Sequence, residues 1–404
     1  MTLAVTIVCQ LAYPELVSTG LTITELAEGL AEQGVQVTIV AGPMTVAYRD
    51  RRVPKRIQHK GVTIHRVWGT QYSKLSTWGK AVNQWSVALG MGWYVLTTPI
   101  KGPVFCISNP PFLHWIVALM AKIKRYRWVA VVFDVYPDAL IASRWLEESS
   151  WLVWGWRWLN RWAYGCANRV VVIGRCMAKR VQSQLPASVW SRIIPIHVWA
   201  DDRGIAMNQN EVNFRERWEL GDDFIVGYSG NLARFHDVMT LVRVADLMRD
   251  VSGLRFLIVG EGAQKQAVMA YCRDRALSNV LIHSYVPREE LGSLLHTFDV
   301  GVVSLETEFV GISVPSKSYG LMAAGVPVLG LLPEESEVAH LIRESGCGWV
   351  IPPHQPELLM SALKAAMQDA HLMERGQRGL ELVRTRYSLG EAVLRYIELI
   401  KACS

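Results

Sequence analysis

The chain has 404 residues, half of them apolar and 19% charged, which excludes a long disordered protein and suggests two domains. Its seven cysteines are scattered and lack CxxC spacing, which excludes a disulfide framework and a cysteine-based zinc site. The net charge of +6 is uneven, because residues 1–200 carry 22 Lys/Arg against 9 Asp/Glu and the remainder carries 20 against 27.

The first half of the sequence alternates short apolar runs with helical stretches, and Gly34 is a plausible C-cap of the first helix. The apolar runs predict parallel strands buried on both faces. Their residues are 3–9, 35–41, 104–107, 128–133 and 169–173. The first run follows the N-terminus without a basic segment or a cleavage site, so we interpret it as a strand rather than a signal peptide and expect a cytoplasmic protein.

A second alternating series follows a polar, weakly periodic stretch, which we interpret as an interdomain linker. The predicted strands of this series are residues 224–228, 254–259, 280–283, 300–304 and 326–331. The last helix, residues 388–402, has an apolar face that can cross back to the first domain. We therefore predict an α/β protein with two doubly wound domains. The predicted divisions are 1–200, a linker at 201–222, 223–385, and a returning helix at 386–404.

Loops at the carboxyl ends of parallel strands bind ligands in such folds. After the first strand of the second series, Gly230, Arg234 and His236 precede a helix that Asp237 can cap. Further along, Pro315 can open a helix whose first amides face an anion. Backbone amides together with Arg234 suit a diphosphate, although each of these segments alone is also typical of an ordinary turn.

In the first half, Asp134 and Asp138 follow a predicted strand. A carboxylate at that place can hold a substrate hydroxyl or take its proton, and Asp134 is the better candidate because Asp138 can equally cap a helix. We interpret His114 as a residue on a helix face rather than a catalyst.

These segments, in this order and spacing, resemble the family 4 glycosyltransferases, especially the bacterial branch that builds capsular, O-antigen and colanic-acid-type polysaccharides. The matching segments are Tyr13-Pro14-Glu15 with Thr19-Gly20, Ser108-Asn109-Pro110-Pro111, Asp134-Val135-Tyr136-Pro137-Asp138, Ser229-Gly230-Asn231-Leu232, Gly260-Glu261-Gly262, Tyr285-Val286-Pro287 and residues 314–327. The resemblance implies the two-domain GT-B fold with an interdomain cleft, a metal-independent mechanism without a cofactor, and retention of anomeric configuration.

By the same resemblance, the second domain binds a nucleotide-sugar donor, with UDP favoured, and the first domain binds the acceptor. The implied catalytic residues are Asp134, Arg234 and Lys317. The implied donor-binding residues are Thr19, Gly20, Gly230, Asn231, His236, Glu261, Gly262, Tyr285, Val286, Ser313, Pro315, Ser316, Ser318 and Tyr319. The implied acceptor-binding residues are Asn109, Tyr136 and Asp138.

The sequence also departs from the family pattern. Members often carry two glutamates eight positions apart, and Ile312 and Gly320 stand at the corresponding positions here. Charge on the diphosphate must then be met by Arg234, Lys317 and, if it is a ligand rather than a turn residue, His236. Two alternatives stay open: a non-catalytic scaffold subunit of a membrane assembly, and a sugar-nucleotide epimerase.

Tryptophan is concentrated in the basic half, where 12 of the 16 lie between Trp68 and Trp162. A basic, Trp-rich helix is typical of contact with acidic lipid, whereas inward packing at i, i+4 and i+8 would make it a core helix. We favour peripheral association with the inner face of the cell membrane and a lipid-linked saccharide acceptor. The longest apolar candidate, residues 85–100, is too short to span a bilayer. No nucleic-acid reader motif is present, so we expect no nucleic-acid partner.

Overall fold

The computed structural model describes residues 3–15, 19–44, 53–72, 77–200 and 212–404. The chain forms two compact units: residues 1–198 with 389–404, and residues 199–388. The predicted divisions at 200 and 386 lie within three residues of these limits. Each unit contains its own largely parallel sheet with helices, as the predicted doubly wound domains require.

The first domain has a sheet in the strand order β3-β4-β2-β1-β5-β6-β7-β8. Its strands are β1 (Ala4–Cys9), β2 (Gln36–Ala41), β3 (Arg56–His59), β4 (Val62–Arg66), β5 (Val104–Ile107), β6 (Trp128–Val132), β7 (Arg169–Val172) and β8 (Ile193–Pro195). Its helices are α1 (Thr19–Glu32), α2 (Thr77–Thr97), α3 (Leu113–Lys124), α4 (Asp138–Ala142), α5 (Trp151–Cys166), α6 (Arg175–Gln184) and α7 (Ala187–Trp190).

The central strands of this sheet follow the predicted apolar runs. All residues of β5 and β6 are buried, as expected for parallel strands covered on both faces. The sequence prediction missed the antiparallel pair β3 and β4 at the sheet edge. Polar and apolar residues alternate in both strands, and β3 is only partly buried, so neither strand gives a continuous apolar run.

The second domain has a sheet in the order β11-β10-β9-β12-β13-β14, with every pairing parallel. Its strands are β9 (Phe224–Ser229), β10 (Leu254–Val259), β11 (Val280–His283), β12 (Val300–Ser304), β13 (Val328–Leu331) and β14 (Gly348–Ile351). Its helices are α8 (Phe214–Arg217), α9 (Val238–Leu247), α10 (Lys265–Asp274), α11 (Leu291–Leu295), α12 (Lys317–Ala323), α13 (Glu337–Ser345), α14 (Pro356–Met367) and α15 (Leu372–Arg386).

Part of the predicted linker belongs to the second domain. Residues 201–211 lie outside the described residues, but helix α8 follows them and buries Phe214. The Arg215 guanidinium pairs with Asp299 at 2.9 Å, ahead of β12. The polar composition of this stretch masked one buried aromatic ring and one ion pair, and these two contacts fix α8 on its domain.

The last helix, α16 (Leu389–Ala402), lies on the first domain, as predicted. Val393 packs against Gly29 of α1 so closely that a Cβ at Gly29 would lie 2.6 Å from a Val393 methyl group. Tyr396 is buried beside the Phe105 ring of β5. Among the described residues, no helix has both the length and the apolar character needed to cross a membrane.

Candidate functional site

The loop after β9 contains a glycine that makes room for a lysine from another loop. Gly230 has φ of 137°, a value that favours glycine. A Cβ at this position would lie 2.5 Å from Cε of Lys317, at the start of α12. The structure thus brings together two residues that are 87 positions apart in the sequence and that were both expected to contact a diphosphate.

Lys317 is held by neutral groups. Its ammonium donates a hydrogen bond to the Asn231 carbonyl at 2.9 Å and another to the Tyr228 hydroxyl, and it lies 4.2 Å from the centre of the Tyr228 ring. In the part of the chain that the structure describes, no carboxylate pairs with it. Burial lowers the pKa of Lys317 to about 7. An anionic ligand would supply the negative charge that this site lacks and would favour the charged form of the lysine.

Arg234 extends the cationic character of this loop. Its side chain is exposed, and the described residues offer its guanidinium no ion pair or hydrogen bond. Asn231 is exposed beside it. A planar guanidinium with free donors is well suited to two phosphate oxygens. Asn231 and Arg234, both predicted to contact the diphosphate, are therefore open to a ligand on the same loop.

The start of α12 fits the prediction only in part. No described hydrogen bond uses the amides of Ser316 and Lys317, so both stay available to an anion. The Ser318 amide and hydroxyl instead both donate to the Pro315 carbonyl, at 3.3 and 2.7 Å. Tyr319 is fully buried and packs near Tyr387, so its predicted contact with the donor is wrong.

His236 is a structural residue rather than a cation for the diphosphate. It is buried, and its Nδ1 lies 2.6 Å from the Ser304 carbonyl at the end of β12. Burial and, secondarily, the Lys317 charge lower the pKa of His236 to about 3. The neutral ring donates from Nδ1, so its Nε2 can only accept a hydrogen bond. Of the two interpretations of this imidazole, the turn residue is the one that fits.

The glycines after β10 leave room for the loop that follows β9. A Cβ at Gly262 would lie 2.6 Å from Asn231 Oδ1, and the Leu232 amide donates to the Glu261 carbonyl at 2.8 Å. Gly262 therefore permits a close approach between two loops of the protein. The exposed Glu261 carboxylate pairs with Lys265 at 2.6 Å.

Tyr285 and Val286 lie in the loop after β11, beside the Gly260–Gly262 turn. The Tyr285 ring is 54% exposed, and its hydroxyl lies 3.4 Å from the Glu261 carbonyl. The adjoining strand ends therefore carry the residues that the resemblance assigns to the base. Ser313 and Pro315 lie ahead of α12, where Pro315 is buried.

In the first domain, Asp138 is a buried anchor and not an acceptor ligand. Its carboxylate is 1% exposed, pairs with Arg157 at 2.9 Å and Arg180 at 3.2 Å, and accepts a hydrogen bond from Gln184. Pro137, rather than Asp138, occupies the N-cap position of α4. Both earlier interpretations of Asp138 are wrong, because its charge joins α4 to α5 and α6.

Asp134, Tyr136 and Asn109 lie at the carboxyl ends of β5 and β6. The Ser108 hydroxyl accepts the Phe133 and Asp134 amides at 3.0 and 3.3 Å, which ties the two strand ends together. Tyr136 is half-buried, and burial and the Asp134 charge raise its pKa. Asp134 and Tyr136 thus remain candidates for contact with an acceptor.

Thr19 and Gly20 begin α1. A Cβ at Gly20 would lie 2.6 Å from the Glu15 carbonyl, so the glycine is required by packing within the first domain. His114 is buried on α3, with Nε2 2.9 Å from the Cys106 carbonyl and Nδ1 3.2 Å from the Tyr164 hydroxyl. Burial lowers the pKa of His114 to about 4. It is therefore a core residue of α3, where the prediction had placed it only on a helix face.

Sequence reasoning missed Tyr228, which supports the Lys317 ammonium, and a cluster formed by Asp237, Glu306 and His354. Asp237 caps α9 through the Thr240 amide at 3.2 Å and accepts the His354 amide at 2.8 Å. His354 Nε2 lies 2.8 Å from the Glu306 carboxylate. Within the described ranges, only these three side chains are grouped closely enough to share a metal ion. Their mutual hydrogen bonds join three loops, and His354 had no sequence motif to reveal it.

Two family models match the chain, one in each domain. The model described as a glycosyl transferase 4-like domain matches residues 19–197, and the model described as glycosyl transferases group 1 matches residues 223–369. The two matches together cover most of the chain.

Two curated bacterial proteins are similar in sequence. A probable glycosyltransferase, WbjE from Pseudomonas aeruginosa, is 27% identical over 62% of this chain and 62% of its own length. A putative colanic acid biosynthesis glycosyl transferase, WcaI from Escherichia coli K12, is 25% identical over 38% of each chain. The alignments thus span less than two thirds of either relative.

A solved structure shares the fold over the whole chain. HepE from Anabaena, crystallised in complex with UDP and glucose, superposes with a TM-score of 0.73 and covers 99% of this chain and 100% of its own. The two sequences are 10% identical, so the likeness concerns the fold.

Proposed function

Because the chain belongs to the family 4 glycosyltransferases, we propose that it transfers a sugar from a nucleoside diphosphate to a lipid-linked saccharide, with retention of configuration. UDP is the nucleotide we favour, since HepE binds UDP and glucose with the same fold. The relative WcaI, a putative colanic acid biosynthesis glycosyl transferase, supports a place in polysaccharide synthesis.

The observation that carries this proposal is the Lys317 site. A partly buried lysine lacks an anionic partner among the described residues, and it donates a hydrogen bond to the loop that also carries Arg234. Two amides without a described partner begin the helix of this lysine, at the carboxyl edge of a parallel sheet. Such an edge is where ligands bind in doubly wound domains. A diphosphate supplies the missing negative charge.

The same groups would act during transfer. As the bond between the sugar and the diphosphate breaks, negative charge grows on the departing phosphate oxygen, and preorganised cations stabilise that charge more than they stabilise the bound donor. Lys317 and Arg234 provide this stabilisation without a metal ion in the proposed reaction. Asp134, at a strand end of the first domain, is the proposed partner of the acceptor hydroxyl.

The test is a thermal-shift screen with UDP-, GDP- and ADP-sugars, because a ligand that binds only the native state raises the melting temperature. We expect one nucleotide class to stabilise the protein and Arg234→Ala to remove most of that shift. Arg243→Ala, an exposed arginine on α9, is the matched control and should keep the shift. Binding that is equal in both variants would contradict the proposed diphosphate site.

A scaffold without catalytic activity is the second candidate, because the usual glutamate pair is absent. Ile312 is buried, and Gly320 lies on α12, so neither position offers a carboxylate. Calorimetry with the same nucleotides separates the two functions. Donor binding followed by sugar transfer excludes the scaffold, whereas the absence of any nucleotide binding would favour it.

We further propose that the first domain lies on an acidic membrane. Trp151, Trp154 and Trp158 of α5 are 79%, 73% and 57% exposed, so they do not pack inward. Exposed tryptophan beside arginine suits the headgroup region of a bilayer. Flotation with vesicles of acidic phospholipid at low salt is the test, and Trp154→Ser with Trp158→Ser should reduce binding several-fold. Unchanged flotation of the double variant would contradict this surface.

A further inference from the structure

A second apolar feature of the first domain is a groove along α2. Its volume is about 1060 Å³, at the upper end of the roughly 300–1,000 Å³ that small-ligand sites occupy. Several of its apolar side chains are exposed to an unusual degree, including Trp78 at 82% and Trp93 at 67%. The apolar lining includes Trp68, Trp78, Trp85, Leu89, Trp93 and Ile116.

The polar groups in this lining are already bonded to the protein. The Arg66 guanidinium donates to three backbone carbonyls at 2.7, 2.8 and 2.9 Å. The Ser86 and Thr97 hydroxyls donate to carbonyls of α2, and Tyr94 bonds with Thr98. Apart from indole N–H groups, the described lining leaves little for a sugar, a nucleotide or a peptide backbone to bond with. A polar occupant would lose its hydrogen bonds to water without replacement.

The helices around the groove carry only positive charge. The sequences of α2, its neighbour α3, and α5 beyond it contain no Asp or Glu. Lys80 directly precedes the groove residue Ala81 on α2, and Lys122 and Lys124 end the helix that contributes Ile116. An apolar occupant with an anionic group at one end therefore matches both the lining and its surroundings.

We infer that this groove binds the hydrocarbon chain of a lipid-linked acceptor, a proposal that rests on the proposed function. A concave site of this volume encloses a single chain, whereas contact with a flat bilayer surface needs only the exposed tryptophans of α5. Each buried methylene of a chain contributes about 0.8 kcal/mol. The groove would thus select acceptors by their lipid and hold their phosphate near the lysines of α2 and α3.

The test uses a short isoprenyl diphosphate that carries a terminal photoreactive benzophenone, at a concentration below micelle formation and without vesicles. We expect photolabelling of peptides from residues 77–97 and 113–124. Excess unlabelled isoprenyl diphosphate should suppress the labelling, and inorganic pyrophosphate should suppress it much less. Labelling elsewhere in the chain, or equal suppression by pyrophosphate, would overturn the proposal.

Two variants and one control test whether the probe binds in the groove. Ala81→Phe fills the groove from an exposed position, and Leu89→Ser removes apolar surface from it, so each should weaken probe binding about tenfold, which equals about 1.4 kcal/mol. Leu394→Ser, an exposed leucine of α16 outside the groove, should leave probe binding unchanged. If the groove variants bind the probe normally and lose only binding to vesicles, the groove contacts the bilayer surface. That result would overturn the proposed site for a hydrocarbon chain.

Donor binding separates this proposal from the proposed function. The Ala81 and Leu89 variants should keep the thermal shift that a nucleotide sugar produces, because they lie in the other domain. A normal nucleotide shift without probe binding refutes the groove alone. Probe binding without any nucleotide shift refutes the proposed transferase and leaves the groove as a lipid site.

Discussion

The two domains use their most unusual residues in opposite ways. In the second domain, Gly230 and Asn231 follow one strand and Lys317 follows another, and the lysine lies within a few ångströms of both. In the first domain, most tryptophans of α2 and α5 stand on helix surfaces and are exposed. A small, highly charged ligand requires groups at fixed positions, which a sheet edge provides. A hydrocarbon chain or a lipid surface requires area, which helix faces provide.

The largest expected effect is at the charged site. Lys317→Ala should lower kcat for sugar transfer by about 100- to 1,000-fold, because one preorganised donor to a developing oxyanion commonly has that effect. Product formation with a matched donor and acceptor is the measurement. Lys364→Ala, an exposed lysine of α14, is the control and should retain activity. A Lys317 variant with more than a third of normal kcat would show that this lysine has no role in the chemistry.

The second-largest expected effect is on stability, and it tests whether Asp138 of the first domain has a purely structural role. Asp138→Ala should reduce the free energy of unfolding by about 3 kcal/mol, because it leaves two arginines without their shared carboxylate. Thermal or denaturant unfolding measures the loss, and Glu147→Ala, an exposed site, should change stability by less than about 0.5 kcal/mol. A stable variant with a raised KM for acceptor would restore Asp138 as a ligand.

A glycine pair compares the two domains directly. Gly230→Ala should weaken binding of UDP-glucose about tenfold. A residue with a side chain at φ of 137° is strained by roughly 1–3 kcal/mol, and the added Cβ would displace Lys317. Gly155→Ala on α5 meets no atom within 4 Å and should be neutral or stabilise by up to about 1 kcal/mol. Titration calorimetry with both variants gives the comparison. Equal affinities would mean that the loop after β9 tolerates a side chain and does not fix the lysine.

The smallest effect is a pH dependence of donor binding. The free Lys317 has a pKa of about 7, and a bound diphosphate raises it. Below pH 7 the ammonium is already charged, so affinity for UDP-glucose is greatest there. Above pH 7 binding must take up a proton, and affinity falls by up to about tenfold per pH unit until the pKa of the complex is reached. Calorimetry at pH 8 in two buffers of different ionisation enthalpy should detect this uptake, and Lys317→Ala should abolish it.

Sequence reasoning performed best where local pattern and topology agree. The buried runs of β5, β10 and β12 were predicted to the residue, and the strand-end rule brought Gly230 and Lys317 to one edge. The errors depend on packing between distant segments. Nothing local shows that Asp138 meets Arg180, 42 positions later, or that Tyr319 turns into the core. The role of Gly262 likewise depends on a loop some 30 residues earlier.

The returning helix α16 makes the second domain an insertion within the first. The chain leaves the first domain after residue 198 and re-enters it at residue 389, so two tethers join the domains. Cleavage of the first tether would still leave both pieces associated, because the apolar face of α16 stays docked on α1. Deleting α16 would instead expose Gly29 and Phe105 of the first domain to solvent. C-terminal truncation should therefore destabilise the first domain, although the second domain directly precedes α16 in the sequence.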